Sequence, residues 1–432
     1  MNTDRFDREL PDLLERLAPR AMPDYRNDIV RQTAHMRQRP AWMFPERWIP
    51  VSAITSRAFA APPIRWRVVG VVALLLLALA VGLVLVAGSQ RHVPAPFGPA
   101  ANGLVAYEKA GDIYTADPVT GVAKAVVTGT TTDVRPVFSP DGTHFVFERK
   151  EGTLGRLMVA RSDGTDAVVV TPNALIGLEY PWDAAVPNYT FSPDGKEIAL
   201  WSTTDAGGQL WIAQADGSGV RQVDLPIKVA EAAYRPPNGA ELVVSGSTND
   251  GPNGIYAIDP KVGTPRTIVA PATGVSVGFG RFSPDGSRLA YVSADTAVEP
   301  GSYRVHVVGL DGSNDITLPL PARAVFQDAP AWSNDGTRLA ITRGYAQHNE
   351  EMAVAVVPAD GSGTGIESTH GLTGCCDTIL QWSPDDTSVL VMPEEMSDSI
   401  TKQHLLLDPS TGATTPAPWT GFDPPAWQRV VR

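Results

Sequence analysis

The sequence has little cysteine. It contains two in 432 residues, and these are neighbours, Cys375 and Cys376. Adjacent cysteines cannot join distant segments, so a disulfide framework and a four-ligand zinc site are excluded. Their Cα atoms lie about 3.8 Å apart across a trans peptide, below the usual span of a disulfide. We interpret them as two thiols, with a redox pair as the alternative.

Aromatic residues are also scarce, at 7% of the chain, whereas glycine and proline are abundant, with 39 and 38 residues. This composition favours an all-β protein in which many short elements are joined by turns. A hydrophobic fraction of 43% in 432 residues suffices for one large or two ordinary domains with sizeable cores. A disordered chain is therefore excluded.

Clustered positive charge is missing from most of the chain. Residues 1 to 67 carry twelve arginines and eight carboxylates, a net charge of +4, so the remaining residues must carry −16 to give the total of −12. An acidic remainder argues against nucleic acid as its partner, because binding to phosphates requires clustered lysine and arginine.

One long hydrophobic run is present, VVGVVALLLLALAVGLVLVA, from Val68 to Ala87. Twenty residues at helical rise span about 30 Å, the thickness of a bilayer core, so the run predicts a transmembrane helix over residues 66–88. It starts too far from Met1, and is too long, for the apolar region of a cleaved signal peptide.

The flanking charges predict the orientation of this helix. Arg65 and Arg67, with two further arginines upstream, precede it, and Arg91 is the nearest cation after it. The positive-inside rule then places the N-terminus in the cytoplasm and the rest outside a cell membrane. We expect a cytoplasmic helical tail over residues 1–65, a proline-rich linker over 89–102 and an outer domain over 103–432.

The outer domain repeats one phrase. FSPDGTHFVFER begins at Phe138, and related copies begin at Phe191, Tyr234, Phe282, Trp332 and Trp382, in steps of 43 to 53 residues. Such a period with strand-like content is typical of propeller blades. Within the phrase, proline presets φ and glycine permits the positive φ of a hairpin turn. The apolar run that follows each turn predicts a strand covered on both faces.

A second hairpin follows the first, and it occurs seven times against six copies of the phrase. The mismatch resolves at the C-terminus, where PPAWQRVV, Pro424 to Val431, repeats the start of the phrase at Trp332. We predict that this last strand completes the first blade, whose other strands come from Leu104 to Thr128. The fold predicted is an all-β, seven-bladed β-propeller of four-stranded blades, a ring without a free edge.

The Ser-Pro-Asp-Gly phrase, followed by an apolar strand and an Asp-Gly hairpin, resembles the TolB-type propeller repeat, a relative of WD-repeat propellers, over residues 103 to 431. The tail, FDRELPDLLERLA with DYRNDIVRQTAHMRQRPAWMFPERWIP, is similar to cytoplasmic tails of bacterial propeller proteins that accompany extracytoplasmic-function sigma factors. These resemblances imply a propeller fold and a binding role for the outer domain. They also imply a cytoplasmic sigma factor as the partner of residues 1–65. A juxtamembrane helix pair without a partner is the alternative.

A catalytic constellation is missing from the sequence. GVSVG, Gly274 to Gly278, matches the nucleophile-elbow pattern but falls between two blades, so we do not predict catalysis by Ser276. We also expect no cofactor. The function predicted is a membrane-anchored binding or sensing module for an unknown protein or small ligand outside the cell, which signals to the sigma-factor-type regulator. An extracytoplasmic hydrolase or lyase and a structural envelope scaffold are the alternatives.

Loop lengths predict the binding face. Both recurrent turns join the first strand of a blade to the second or the third to the fourth, so they share one face, and the long connections emerge opposite, where binding usually resides. These connections carry Tyr180, Trp182, Asp183, Tyr345 and His348. Three carboxylates each fall four or five residues before a blade aromatic and predict an acidic rim for a cation or a basic ligand, with local turn capping as the alternative: Asp133, Asp328 and Asp377.

Overall fold

The computed structural model describes residues 97–151, 154–171, 188–202, 208–248, 251–298, 302–345, 352–368, 379–392, 402–421 and 424–430. Within these residues no helix is both long enough and apolar enough to cross a bilayer. The predicted tail and transmembrane helix lie outside the described residues. The same holds for several predicted site residues: Cys375, Cys376, Tyr180, Trp182, Asp183, His348 and Asp377.

The described residues form seven four-stranded antiparallel sheets, which we number as blades 1 to 7. Blade 1 contains β1 (Ala101–Lys109), β2 (Asp112–Ala116), β3 (Ala123–Val127) and β28 (Ala426–Val430). Blade 2 contains β4 (Thr132–Phe138), β5 (His144–Glu151), β6 (Leu154–Arg161) and β7 (Val168–Val169). Blade 3 contains β8 (Tyr189–Phe191), β9 (Glu197–Ser202), β10 (Gln209–Gln214) and β11 (Val220–Val223).

The remaining blades follow in chain order. Blade 4 contains β12 (Lys228–Tyr234), β13 (Leu242–Ser247), β14 (Asn253–Ile258) and β15 (Pro265–Val269). Blade 5 contains β16 (Val275–Phe282), β17 (Arg288–Asp295), β18 (Arg304–Gly309) and β19 (Ile316–Thr317). Blade 6 contains β20 (Phe326–Trp332), β21 (Arg338–Gly344), β22 (Met352–Pro358) and β23 (Ile366–Glu367). Blade 7 contains β24 (Ile379–Trp382), β25 (Val389–Met392), β26 (Lys402–Leu407) and β27 (Thr414–Gly421). The seven four-stranded blades confirm the propeller predicted from the repeat.

The repeated phrase forms the hairpin between the first two strands of a blade. In blade 2 the Ser139 hydroxyl donates to Asp141 Oδ1 at 2.7 Å, and the same carboxylate accepts the Thr143 amide at 3.0 Å. Gly142 adopts a φ of 71°, which an L side chain rarely takes, and its amide closes the turn on the Ser139 carbonyl. The serine-to-aspartate bond recurs in four other blades, in the pairs Ser192 and Asp194, Ser283 and Asp285, Ser333 and Asp335, and Ser383 and Asp385.

The second strand of a blade is covered on both faces, as the apolar runs predict. In β5, Phe145 and Phe147 pack against Ile113 of blade 1, while Val146 packs against Leu200 of blade 3. All five side chains are at most 1% exposed. The cores of the propeller thus lie between successive blades, because each sheet buries both of its surfaces.

The C-terminal strand closes the ring. β28 pairs antiparallel with β1, with Trp427 opposite Val105, and contacts β4, the first strand of blade 2. The Trp427 side chain is buried in a cluster with Val105 and Trp419, whose ring meets it edge-on at 6.1 Å. The predicted completion of blade 1 by the last strand is confirmed.

The two kinds of short turn share one face of the ring. The amide of Ser162, in the turn between β6 and β7, donates to the carbonyl of Thr143, in the turn between β4 and β5, at 2.9 Å. Equivalent bonds join Ala215 to Lys196 in blade 3 and Ala359 to Thr337 in blade 6. We call this side the turn face and the opposite ends of the strands the loop face. The expected sharing of one face by both turns is confirmed.

The described propeller also begins on the turn face. The Ala100 amide donates to the Pro384 carbonyl at 2.7 Å, and the Asp385 amide donates to the side-chain oxygen of Asn102 at 3.2 Å. Both acceptor and donor belong to the repeated turn of blade 7. The described chain therefore starts on the face opposite the loop face.

Candidate functional site

Three of the residues predicted to form a binding face are described: Asp133, Asp328 and Tyr345. All three lie at the loop-face ends of strands, because β4 and β20 begin there and Tyr345 follows β21. The structure places them in blades 2 and 6, and each has a different environment.

Asp133 is a buried structural carboxylate. Its side chain is fully buried, and Arg149 on the neighbouring strand binds it through both oxygens, Nε to Oδ1 at 2.7 Å and Nη2 to Oδ2 at 2.9 Å. A two-point arginine pair satisfies a carboxylate geometrically as well as electrostatically. Asp133 is therefore committed to Arg149 within blade 2 and does not offer an open ligand for a cation.

Asp328 does not occupy the position that Asp133 occupies. Asp133 lies opposite Arg149 in its blade, whereas in blade 6 the residue opposite Arg343 is Gln327, and Asp328 lies one residue later. A shift of one residue along a strand moves a side chain to the opposite face of the sheet. Asp133 and Asp328 therefore lie at different positions of their blades, and the predicted rim, whose third member Asp377 is outside the described residues, stays a prediction.

Gln327 and Arg343 instead form the centre of a polar cluster between blades 5 and 6. Arg343 is fully buried, and it donates through Nη1 to Glu367 Oε1 at 2.6 Å and through Nη2 to the Thr364 carbonyl at 2.8 Å. Gln327 donates through Nε2 to the Pro319 carbonyl at 2.9 Å. Arg343 Nε and Gln327 Oε1 are buried and make no hydrogen bond to the chain.

Tyr345 adds an aromatic ring to this group, which we call the arginine cluster: Gln327, Arg343, Tyr345 and Glu367. The Arg323 guanidinium lies over the Tyr345 ring, 5.9 Å from its centroid. Burial, with the Glu367 carboxylate next, raises the pKa of Tyr345 to about 12. The hydroxyl is therefore neutral near pH 7, and its oxygen is buried.

A cavity of about 260 Å³ opens between blades 4 and 5 on the loop face. We call it the interblade cavity. Its polar lining residues are Glu231, Ser245, Asn253 and Ser276. The remaining lining residues are Ala230, Val277, Gly278, Val292, Ala294 and Tyr303. These residues come from the loop-face ends of five strands, β12, β13, β14, β16 and β17, and from Tyr303 just before β18.

Gly278 contributes to the cavity through its missing side chain. A Cβ at this position would meet no atom within 4 Å. The pairing register places Gly278 where blade 2 has the buried Val134, since both residues precede the blade aromatic by four positions. The absence of a side chain at this one position of blade 5 leaves space that blade 2 fills.

The electrostatics of the interblade cavity are mild. Glu231 is the one carboxylate among the lining residues that the structure describes, and its Oε1 lies 3.6 Å from the Arg281 guanidinium, which partly compensates its charge. Among the described lining residues there is no histidine, lysine or arginine. Ser276, the serine of the GVSVG segment, is exposed in the cavity wall near Glu231 and Asn253.

Sequence reasoning identified Tyr345 but missed its partners and the cavity. An arginine at the end of the apolar strand RLAITRG is the one available signal for Arg343. Glycine in a strand interior often marks space for a close approach, which is the corresponding signal for Gly278. Within the described residues no group of three His, Cys, Asp or Glu side chains could hold a metal ion.

Comparison with protein-family models and with curated proteins finds no match. Among solved structures, an oligogalacturonate lyase in complex with manganese is 14% identical and has a TM-score of 0.51, over 74% of this chain and 85% of that chain. The GH74 xyloglucanase from Xanthomonas campestris is 13% identical with a TM-score of 0.52, over 78% of this chain and 54% of that one. TolB from Acinetobacter baumannii is 15% identical with a TM-score of 0.46, over 77% and 81%. Likeness at such identities concerns the fold alone.

Proposed function

We propose that this protein is a membrane-anchored extracytoplasmic propeller that binds a ligand on its loop face and signals to a cytoplasmic regulator of the sigma-factor type. The interblade cavity is the observation that carries the binding role. It is a concave site of mixed apolar and polar lining on the face where the connections vary, and pockets of this kind are the usual binding sites of rigid scaffolds.

The start of the described chain supports the same proposal. The described propeller begins at hydrogen bonds between Ala100, Asn102 and the repeated turn of blade 7, on the turn face. The described chain thus starts on the face opposite the candidate binding site. The hydrophobic run Val68 to Ala87 supplies the membrane anchor in this proposal.

Protease accessibility tests the topology. Protease added to intact cells should digest the propeller and spare residues 1–65, because the arginines that precede the hydrophobic run keep the N-terminus inside. The same treatment after permeabilisation should remove both regions and serves as the control. Protection of the propeller in intact cells would overturn the proposed orientation.

Co-purification tests the signalling role. The full chain, solubilised from membranes, should retain an extracytoplasmic-function sigma factor, and a chain that lacks residues 1–65 should lose it. Retention by the truncated chain, or absence of the sigma factor from both preparations, would refute the signalling proposal. Chemical change of a molecule bound at the loop face would instead identify a hydrolase or lyase.

A further inference from the structure

The interblade cavity excludes most charged ligands. Among its described lining residues there is no cation that could neutralise a phosphate or carboxylate, and the one carboxylate among them, Glu231, has Arg281 beside it at 3.6 Å. An anion would therefore meet a negative charge, and a cation would have to compete with an existing positive partner. The lining is suited to a small neutral molecule.

The polar lining groups favour a ligand with several hydroxyls. Ser245 and Ser276 carry hydroxyls that both donate and accept, Asn253 offers two donors and an acceptor, and Glu231 accepts. These groups belong to four different strands of two blades, so they approach the cavity from several directions. A ligand with polar groups around its rim can exchange hydrogen bonds with these groups from several directions.

The apolar lining favours a ligand with hydrophobic faces. Val277 and Val292 are buried aliphatic residues of the wall, and Tyr303 adds a ring that is 39% exposed. The Tyr303 ring meets Phe326 edge-on, with centroids 6.3 Å apart and planes at 71°, and this packing positions it. An aromatic ring beside aliphatic groups covers C–H surface well. Hydroxyls at the rim and C–H groups on the faces are the properties of a sugar ring.

The size of the cavity limits the ligand further. A volume of about 260 Å³ lies below the roughly 300 to 1,000 Å³ of clefts that hold drug-sized ligands. This is room for one small ring rather than for an enclosed oligomer. We propose that the interblade cavity binds a single neutral sugar ring, as a free monosaccharide or as one unit of a polysaccharide. The inference rests on the proposed ligand-binding role of the loop face and assigns its ligand class.

Titration calorimetry on the full chain in detergent micelles tests the proposal. The probes are glucose, galactose, mannose and N-acetylglucosamine, with galacturonate and glucosamine as charged counterparts. At least one neutral sugar should bind saturably and more tightly than its charged counterpart. Binding by none of the neutral sugars, together with no sedimentation of the protein with cellulose, chitin or galactomannan, would overturn the assignment.

Two matched variants locate the site. Gly278→Leu places a side chain in the open space of the cavity and should weaken sugar binding by at least about tenfold. Gly219→Leu is the control, because Gly219 lies in a turn on the turn face and is likewise open, with no atom within 4 Å of a Cβ. The control should leave the affinity unchanged. Equal affinity of wild type and Gly278→Leu would refute the cavity as the sugar site.

Ser276→Ala tests the hydrogen-bonding rim. Loss of one hydroxyl contact should weaken binding about fivefold, the ordinary effect of one neutral hydrogen bond. Sedimentation with a polysaccharide in the absence of monosaccharide binding would identify one unit of a polymer as the ligand, and the reverse result would identify a free sugar. If no sugar binds, but the membrane topology and the retention of the sigma factor are as expected, the sugar site alone is rejected.

Discussion

The turn face and the loop face of the propeller are built on opposite principles. On the turn face the same serine-to-aspartate bond recurs in five blades, from Ser139 and Asp141 in blade 2 to Ser383 and Asp385 in blade 7. On the loop face the equivalent strand ends differ between blades, and buried polar atoms of Gln327 and Arg343 lack partners. The repeated turns thus stabilise the turn face, whereas the strand ends of the loop face vary from blade to blade.

The protonation behaviour of the two faces differs in the same way. Burial alone would raise the pKa of Asp141, but hydrogen bonds from Ser139 and Thr143 outweigh it, so the pKa of Asp141 is lowered. On the loop face, burial raises the pKa of Tyr345 to about 12. Asp141 is thus held in its charged form, whereas the Tyr345 hydroxyl is held neutral.

The turn face also compensates where its repeat is broken. Asn334 replaces the proline of the phrase in blade 6, and Asp386 replaces the glycine in blade 7, at a φ of 59°. The Asn334 amide and side chain donate to Asp386 Oδ1 at 2.7 and 2.8 Å, and Arg429 of the closing strand donates to Asn334 Oδ1. The two departures form one hydrogen-bonded group that links blades 6, 7 and 1.

Removal of the closing strand should lower the stability of the propeller more than any of the single substitutions below. Deletion of residues 424–432 removes the pairing of β28 with β1 and the buried Trp427 side chain. Loss of a buried aromatic alone costs about 3 to 5 kcal/mol, so thermal unfolding should begin well below that of the parent or lose its cooperativity. Val430→Ala, at the exposed end of the same strand, is the control for a mild change. An unchanged melting temperature would mean that the ring closes in another way.

Breaking an ion pair should destabilise the loop face more than the turn face. Glu367→Ala leaves the buried Arg343 guanidinium without its carboxylate, which should lower the free energy of unfolding by about 3 kcal/mol. The control is Arg161→Ala on the turn face, where the pair with Asp166 is mostly exposed, and less than about 1 kcal/mol should be lost. Urea unfolding measures both. Equal losses would show that Arg343 does not depend on Glu367.

Restoring the repeat at one position should weaken the turn face. Asn334→Pro recovers the common phrase but removes the bonds to Asp386 and Arg429, so about 1 to 2 kcal/mol of unfolding free energy should be lost. Adding Asp386→Gly should cost less than the sum of the two single changes, because both remove the same contacts. Additive losses in this cycle would show that the two departures are independent.

Acid should have the smallest effect of these changes, and it should lower the stability of the turn face. The folded-state pKa of Asp141 is lowered, so its contribution is fully present above the unfolded value of about 3.9 and is lost as pH falls through the folded pKa. Between pH 5 and pH 3 the melting temperature of wild type should therefore fall slightly more than that of Asp141→Asn. Parallel curves for the two proteins would contradict the assigned role of this carboxylate.

The sequence by itself determined the blade count, the closing strand and the two faces. These properties follow from local signals: the Ser-Pro-Asp-Gly phrase forms its turn within five residues, and its period counts the blades. The match of PPAW, which ends at Trp427, to APAW, which ends at Trp332, identified the closing strand for the same reason.

Only the tertiary structure decided the candidate site, because its parts are distant in the chain and depend on register. A difference of one residue separates the environments of Asp133 and Asp328, and spacing counted as four or five residues cannot distinguish them. Arg343 on β21 meets Glu367 on β23 across the intervening strand β22. The cavity combines the open space at Gly278 with walls from a second blade. Contacts between blades bring together side chains whose separation in sequence carries no periodic signal, so packing alone assigns them to one site.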